Sequence, residues 1–386
     1  MKRLILGIVF TTTMLAMQAQ TRYEKFYDKE ETLTAVEGTI DDDSTRIGDW
    51  TWWHPSGKLY QEGHYDVRGR KTGVWIVYYE DGSRCSEKYY SGDGMNRSWH
   101  PNGKLKSEVA VVDGREEGVY TTWYDNGQKH DELTYIDGLR QGSVVEWHRN
   151  GQKKFEGTYV DDLLNGEGTW WTADGKKDME GRLVDDNQEG EWLFYWRTNG
   201  RLGVKGTYRQ GVEEGVWTYY YETGERWRSG TYHDGSQSGL WTTWYESGQK
   251  LHEGRYEQGK EEGVWTAWYE DGRIDYTGTF SRGQMDGEWK GYYDDGTVRY
   301  VIHYRQGVKD GEEIHYFATG RIASKESYRD GVRNGQYERY SDETNRIEER
   351  GAFVDGEKEG KWSWFDRSGK EVQSMKFHAG KEVKTR

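Results

Sequence analysis

Residues 263–286 read GVWTAWYEDGRIDYTGTFSRGQMD, and this stretch decides the fold. It opens with a β-branched and aromatic run of strand length, Val264 to Tyr269. The Glu-Asp-Gly sequence at 270–272 is a turn signal, because Asp and Gly tolerate positive φ. A second strand is expected from Arg273 to Phe280. The stretch therefore predicts a β-hairpin that is followed by a polar return loop.

The same pattern recurs about every 24 residues along the chain. Fourteen copies begin at Gly48, Gly73, Gly94, Gly118, Gly142, Gly166, Gly190, Gly215, Gly239, Gly263, Gly287, Gly311, Gly335 and Gly360. Five residues after each glycine stands an aromatic residue: Trp53, Tyr78, Trp99, Trp123, Trp147, Trp171, Tyr195, Tyr220, Trp244, Trp268, Tyr292, Tyr316, Tyr340 and Phe365. We call this set the aromatic column. Periods of this length predict a repeat array.

Fourteen hairpins predict an all-β fold, an elongated single-sheet array of about 28 strands on the order of 130 Å long. A two-residue turn would place Trp265 opposite Gly278, and we expect the indole to cover that glycine. A bulged turn would change which side chains share a face, because one extra residue reverses the strand's parity. Both alternatives remain open from the sequence.

The two ends of the chain differ from the array. In residues 1–19, Lys2 and Arg3 precede an apolar run and small residues, a pattern typical of a secretory signal peptide. A short membrane anchor is the alternative. Residues 20–47 are expected to form an N-terminal cap or degenerate repeat, and residues 48–386 the array with a charged C-terminal cap. The signal peptide predicts a secreted or periplasmic protein, and no cysteine follows it to carry a lipoprotein anchor.

Composition argues against several classes of function. A formal net charge of −14 disfavours nucleic acid and anionic membrane lipid as partners, because phosphates would be repelled. No nucleophile elbow, phosphate loop or paired-cysteine metal motif occurs in the sequence. We therefore expect a protein that is not an enzyme and that needs no cofactor.

The motif Tyr-x-x-Gly-x-x-x-Gly-x-Trp at 256–265, repeated with Phe280 in first place at 280–289, resembles the MORN repeat. The 24-residue form is similar to the bacterial variant known as the YwqK-type antitoxin component family. The resemblance covers residue 48 to about residue 380 and implies a hairpin array that binds proteins or lipid headgroups without catalysis. An antitoxin role conflicts with a signal peptide, because an exported protein does not meet a cytoplasmic toxin.

The aromatic column supplies the candidate binding residues, Trp123, Trp147, Trp171, Trp244 and Trp268. An extended surface of repeats suits a protein partner. Exposed aromatic rings also stack on sugars, so binding of glycan or cell-wall fragments is the alternative. The sequence does not decide whether these rings form the core or a binding surface.

Two sets of polar residues suggest metal binding at first. His54, His100 and His148 share one position of the repeat but would lie roughly 19 Å apart, too far for one metal ion. We interpret them as substitutes for tyrosine. Asp161, Asp162, Asp185 and Asp186 lie in adjacent return loops and could surround Ca²⁺, which takes six to eight oxygen ligands. The alternative is a solvated acidic rim.

Overall fold

The structure is a computed structural model and describes residues 20–383. Within these residues there is no helix, and the strands form an antiparallel sheet of 32 strands. Strands that follow one another in the sequence pair, as β20 does with β21 and β21 with β22, whereas β13 and β14 both pair with β12. The predicted all-β hairpin array is therefore confirmed. Among the described residues no helix is long and apolar enough to cross a bilayer.

The strands in the first part of the chain are β1 (Thr21–Phe26), β2 (Thr34–Ile40), β3 (Arg46–Trp53), β4 (Leu59–Tyr65), β5 (Lys71–Tyr78), β6 (Arg84–Tyr89), β7 (Gly94–Trp99), β8 (Leu105–Val112), β9 (Arg115–Trp123), β10 (Lys129–Ile136), β11 (Leu139–Trp147), β12 (Lys153–Val160), β13 (Leu163–Leu164), β14 (Gly166–Trp171), β15 (Lys177–Val184) and β16 (Asn187–Tyr195). The remaining strands are β17 (Leu202–Arg209), β18 (Val212–Tyr220), β19 (Arg226–His233), β20 (Ser236–Trp244), β21 (Lys250–Glu257), β22 (Lys260–Trp268), β23 (Ile274–Ser281), β24 (Gln284–Tyr292), β25 (Val298–Arg305), β26 (Val308–Tyr316), β27 (Ile322–Arg329), β28 (Val332–Tyr340), β29 (Ile347–Val354), β30 (Glu357–Phe365), β31 (Glu371–His378) and β32 (Lys381–Glu382).

The chain divides into two compact units. Within the described residues, unit 1 comprises 20–166 and 170–175, and unit 2 comprises 167–169 and 176–383. In unit 1 the predicted cap, residues 20–47, contains the hairpin of β1 and β2. In unit 2 the predicted C-terminal cap begins with the two-residue strand β32. The predicted signal peptide, residues 1–19, and residues 384–386 lie outside the described residues.

The turns of the repeat differ from the expected two-residue turn. In the hairpin of β22 and β23, Gly272 N donates to Tyr269 O at 2.9 Å and Tyr269 N to Arg273 O at 2.8 Å. Gly272 has φ of 87° whereas Asp271 does not have positive φ, so this is a turn with a left-handed glycine at its end. The two-residue turn is found in the return loop instead. There Gln258 and Gly259, with φ of 50° and 78°, match a type I′ turn.

The glycine that begins each copy, here called the anchor glycine, lies within a strand in most copies, although Gly94 and Gly166 are the first residues of their strands. Gly263 has φ of 69° and lies in β22, at a point where the register with β21 shifts between Arg255–Glu262 and Glu253–Thr266. Glycine adopts this left-handed conformation without a Cβ clash, and bulges commonly use it. Positive φ recurs at the corresponding glycine of every copy except Gly94, so this left-handed conformation accounts for the recurring glycine.

Alternation along the strands gives each unit two different faces. One face holds a series of almost fully buried tryptophans: Trp50 and Trp75 in unit 1, and Trp192, Trp217, Trp241, Trp265, Trp289 and Trp362 in unit 2, all between 1% and 7% exposed. We call this the packed face. The other face, the open face, carries Val264, which is 64% exposed, and the aromatic column.

Trp265 confirms the predicted register but not the predicted contact. It is opposite Gly278 in the pairing of β22 with β23, as expected. Its ring instead covers Gly254 of the preceding repeat, where an added Cβ would lie 2.0 Å from the indole Cδ2. The indole Nε1 also donates to Arg255 O at 3.2 Å. The side chain leans back across the register shift, so it joins two repeats and does not stabilise its own hairpin.

We call this contact, in which a buried tryptophan covers a strand glycine of the preceding repeat, a joint. It recurs in both units. Unit 1 has the pairs Gly38–Trp50 and Gly63–Trp75, and unit 2 has Gly181–Trp192, Gly206–Trp217, Gly230–Trp241, Gly254–Trp265, Gly278–Trp289 and Gly351–Trp362. Tyrosine and phenylalanine rings pack edge-on against these indoles, as Tyr256 does against Trp265 with 5.2 Å between ring centroids. Each unit is therefore held together by aromatic packing between successive repeats.

Candidate functional site

The predicted binding residues lie on the open face, on the opposite side of their strands from the packed tryptophans. In β22, Trp265 and Trp268 are three residues apart, so their side chains point to opposite faces. Trp123, Trp147 and Trp171 in unit 1 and Trp244 and Trp268 in unit 2 are all half-buried. The aromatic column is thus neither core nor fully exposed, and its rings remain within reach of a partner.

Most of these rings carry a cation from the preceding repeat. In unit 1, Lys129 Nζ lies 5.5 Å from the centroid of Trp147 and Lys153 Nζ lies 5.7 Å from that of Trp171. In unit 2, Lys250 Nζ lies 5.5 Å from the centroid of Trp268. Arg226 similarly lies 5.0 Å from the centroid of Trp244. Cations at this distance are attracted by the aromatic ring.

A carboxylate lies beside the lysine of each tryptophan–lysine pair. Lys250 Nζ is 2.7 Å from Glu253 Oε2, which also accepts a hydrogen bond of 2.8 Å from Thr242 Oγ1. Lys153 pairs in the same way with Glu156 at 2.9 Å, and Lys129 pairs with Glu132. The open face therefore repeats a group of one tryptophan, one lysine and one glutamate. We call this group the open-face triad.

The lysine and the glutamate of the triad were not predicted from the sequence. Their signal is present in the sequence, because a lysine follows the turn glycine by two residues and a glutamate follows that lysine by three. This pattern occurs as Gly127-Gln128-Lys129 with Glu132 and again after Gly248. The register shift beside each aromatic-column residue brings these side chains alongside the next tryptophan, and such a shift cannot be read from spacing alone.

The histidines at the next position of the repeat act as substitutes for tyrosine. His148 Nε2 bonds Trp171 O at 2.8 Å, and His100 Nε2 bonds Trp123 O at the same distance. Tyr124 OH occupies the equivalent place and donates to Trp147 O at 2.9 Å. His54 Nε2 likewise bonds Tyr78 O at 3.1 Å. These side chains connect successive repeats, which accounts for them without a metal ion.

The aspartates proposed as calcium ligands have basic side chains beside them. In unit 1, Asp162 Oδ1 accepts from both the backbone N and Nε of Arg140, at 2.9 and 3.0 Å, and these bonds lower the pKa of the Asp162 carboxyl. Asp161 accepts a hydrogen bond from Gln141. In unit 2, Asp185 lines an open depression of about 800 Å³ together with Arg182 and Arg209, and Asp186 adjoins it in the same turn. The Ca²⁺ site stays a prediction, and these cations compete with it.

Glu214, His233 and Asp234 are a group of three metal-ligating side chains in the described part of the chain, with ligand atoms within 4.8 Å of one another. Arg209 occupies this cluster. Its Nη2 is 3.4 Å from Glu214 Oε2 and 3.0 Å from Asp234 Oδ1. Glu214 also accepts from the backbone N of Asp234 at 3.1 Å. Arg209 therefore bridges the two carboxylates and offsets part of their charge, which gives the cluster a structural role in its turn.

No curated protein gives a significant match. Among solved structures, a chain of the Photorhabdus luminescens Tc holotoxin pore is similar, with 11% sequence identity and a TM-score of 0.16. That match covers 89% of this chain and 23% of the other, so this chain spans about a quarter of the length of that protein. At this TM-score the likeness carries no further argument.

The MORN repeat variant family matches nine segments of the chain. They are residues 46–66, 71–91, 93–111, 116–137, 140–161, 213–234, 237–258, 285–306 and 309–330. Each of these segments contains a turn glycine, and together they cover half of the chain. On this basis the chain belongs to the MORN repeat variant family.

Proposed function

We propose that the chain is a non-enzymatic repeat scaffold, secreted or periplasmic, that binds a protein partner along its open face. The observation that carries the proposal is the recurring open-face triad, as in Trp268, Lys250 and Glu253. Accessible aromatic side chains with polar groups around them are typical of protein interfaces, where tryptophan often supplies much of the binding energy. MORN repeats are also commonly found in scaffolds.

The composition supports a protein partner over other classes. With a net charge of −14, long-range attraction favours a partner with basic groups over a nucleic acid or an anionic lipid surface. The glutamates of the triads can pair with such groups, while the tryptophans contribute apolar area. Glycan binding would use the same rings but would not require the carboxylates.

The test is a capture experiment with matched variants. Tagged residues 20–386 are incubated with an envelope extract of the host, and bound material is identified by mass spectrometry. We expect one stoichiometric protein that is lost when Trp244→Ala and Trp268→Ala are combined. Trp227→Ala is the control, because Trp227 is 42% exposed in the same unit but lies outside the aromatic column.

Other outcomes contradict the proposal in distinct ways. Retention of the protein by the double variant would place the interface elsewhere. Enrichment of wall or glycan fragments alone would favour the glycan alternative. The YwqK-type antitoxin assignment predicts a cytoplasmic toxin as partner, so fractionation of host cells separates it from the exported scaffold.

A further inference from the structure

A row of three polar side chains crosses the packed face of unit 2. Arg228 on β19 pairs in register with Thr243 on β20, and Thr243 pairs with His252 on β21. Thr243 is only 4% exposed. Strands lie about 4.8 Å apart, so Arg228 and His252 flank the threonine from both sides. Tyr276 continues this row two strands beyond His252.

Arg228 has aromatic neighbours but no counter-charge. Its guanidinium carbon lies 4.5 Å from the centroid of Trp241, and Nη2 donates to Tyr256 OH at 3.3 Å. Across residues 20–383 no carboxylate oxygen lies within ion-pair distance of it. Lys358, which stacks on Trp362 at 3.8 Å, has Glu349 at 3.7 Å. The charge of Arg228 is thus available to a ligand.

Two polar atoms in this row are buried and lack hydrogen-bond partners among the described residues: Arg228 Nε and His252 Nδ1. The His252 ring lies 5.9 Å from the centroid of Trp265. Burial, and then the positive charge of Arg228, lower the pKa of His252. Leaving a buried polar group unpaired costs about 1–3 kcal/mol, so such groups call for an explanation.

We propose that Arg228 and His252 form a binding site for a carboxylate that carries an apolar group. A guanidinium presents donors in a planar fork that suits a carboxylate. Protonated His252 would add a donor from Nδ1. Trp241, Tyr256 and Trp265 provide aromatic surface for the apolar part of the ligand. The site lies on the packed face, so it is independent of the proposed partner surface on the open face.

The probe for the test is benzoate, with benzamide as the uncharged control. The pKa of His252 is followed by NMR in residues 20–386, and its signal is assigned by comparison with His252→Gln. An anion beside the ring favours its protonated form, so benzoate should raise the pKa of His252 and benzamide should not. N-acetylphenylalanine, which mimics the end of a peptide, distinguishes a terminal carboxylate from a free aromatic acid if it binds more tightly.

Substitutions of Arg228, with a substitution of Arg46 as the control, decide whether benzoate binds at this site. Arg228→Gln should weaken benzoate binding about tenfold or more, and Arg228→Lys should weaken it less, because it keeps the charge but loses the fork. Arg46→Gln is the matched control. Arg46 stacks on Trp50 at 4.7 Å and donates to Tyr65 OH at 3.4 Å in unit 1, but no histidine flanks it in the register of β2 with β3.

Folding of each variant is checked by its melting temperature. In folded Arg228→Gln, the pKa of His252 should also rise without ligand, because the repulsion from Arg228 is gone. This measurement confirms that the two side chains are coupled even if the probe binds weakly to the variant. Equal binding of benzoate and benzamide, or equal binding to wild type and Arg228→Gln, would overturn the proposal.

Discussion

The indole of Trp265 lies over Gly254, the glycine of the preceding repeat, and not over Gly278, its partner in register. Repeats are therefore joined by a ring that fills the space above a residue without a side chain. Packing between repeats therefore requires the glycine as well as the tryptophan. It also explains why the two residues recur together at eight joints in the described chain.

We predict that Gly254→Leu destabilises unit 2, because a Cβ at this position would lie 2.0 Å from the Trp265 ring. Overpacking of this kind costs about 1–3 kcal/mol. Combining Gly254→Leu with Trp265→Val should recover part of the loss, since Leu133 and Val144 are found at the equivalent positions of unit 1. A double-mutant cycle of melting temperatures measures the coupling, and strictly additive effects would contradict it.

A second prediction concerns the hydrogen bonds between repeats. His148→Phe should lose the bond to Trp171 O and destabilise unit 1 by about 0.5–1.5 kcal/mol. His148→Tyr should be close to neutral, because Tyr124 OH makes the equivalent bond at 2.9 Å one repeat earlier. Chemical unfolding of both variants checks this prediction. It fails if the two substitutions have the same effect.

Stability should depend on pH through Glu313, which is 4% exposed and occupies a position where other repeats have tryptophan. Burial raises the pKa of this carboxyl, but hydrogen bonds from His315 at 2.7 Å and Lys309 at 2.5 Å outweigh burial, and the net pKa is lowered from 4.5. A lowered pKa in the folded state gives stability that is present above pH 4.5 and is lost as pH falls through the folded value.

Glu313→Gln should therefore lower the melting temperature most at neutral pH, and the difference from wild type should shrink below pH 4.5. Glu312→Gln is the control, because Glu312 is an exposed neighbour on the same strand. A difference between wild type and Glu313→Gln that is constant with pH would show that the carboxylate charge does not contribute.

Calcium should leave the melting temperature unchanged. Asp162 is already bonded to Arg140, and Arg182 and Arg209 line the depression that contains Asp185. The return turns need no ion, because an acid before the anchor glycine often accepts from the backbone of the next turn, as Glu262 does from Arg282 N at 2.8 Å. A thermal shift that saturates with Ca²⁺ and disappears in Asp162→Asn would establish the calcium site instead.

Much of the fold could be predicted because the same spacing of aromatic residues and glycines recurs in fourteen copies. The hairpins and the pairing of Trp265 with Gly278 follow from the spacing of aromatic residues and glycines. The turn type was left open by the sequence, since Asp271-Gly272 resembles a two-residue turn, whereas Gln258-Gly259 forms one. The direction in which an indole leans depends on a register shift, and no spacing rule reveals that shift.

The candidate site was predicted only in part. The rings of the aromatic column were identified, and their half-buried state on the open face explains why the sequence could not assign them to core or surface. Lys250 and Glu253 were overlooked because charged residues are common in turns and strands, and only the packing of adjacent repeats gives this pair its place beside Trp268. Arg228 and His252 belong to different repeats, and only strand pairing through Thr243 brings them into one row, so spacing in the sequence did not predict this pair.

The joint between repeats also bears on how such a gene can lengthen. A glycine such as Gly254 and the tryptophan that covers it belong to successive copies, so a tandem duplication that begins anywhere within a copy still recreates one complete joint. Joining a copy that carries this glycine to one with Val144 in place of the tryptophan should be destabilising unless another ring fills the space, as Phe155 does above Gly157. Insertions and deletions of whole copies should therefore keep together adjacent copies whose residues at these two positions fit each other. The order of the copies along the chain is constrained for this reason.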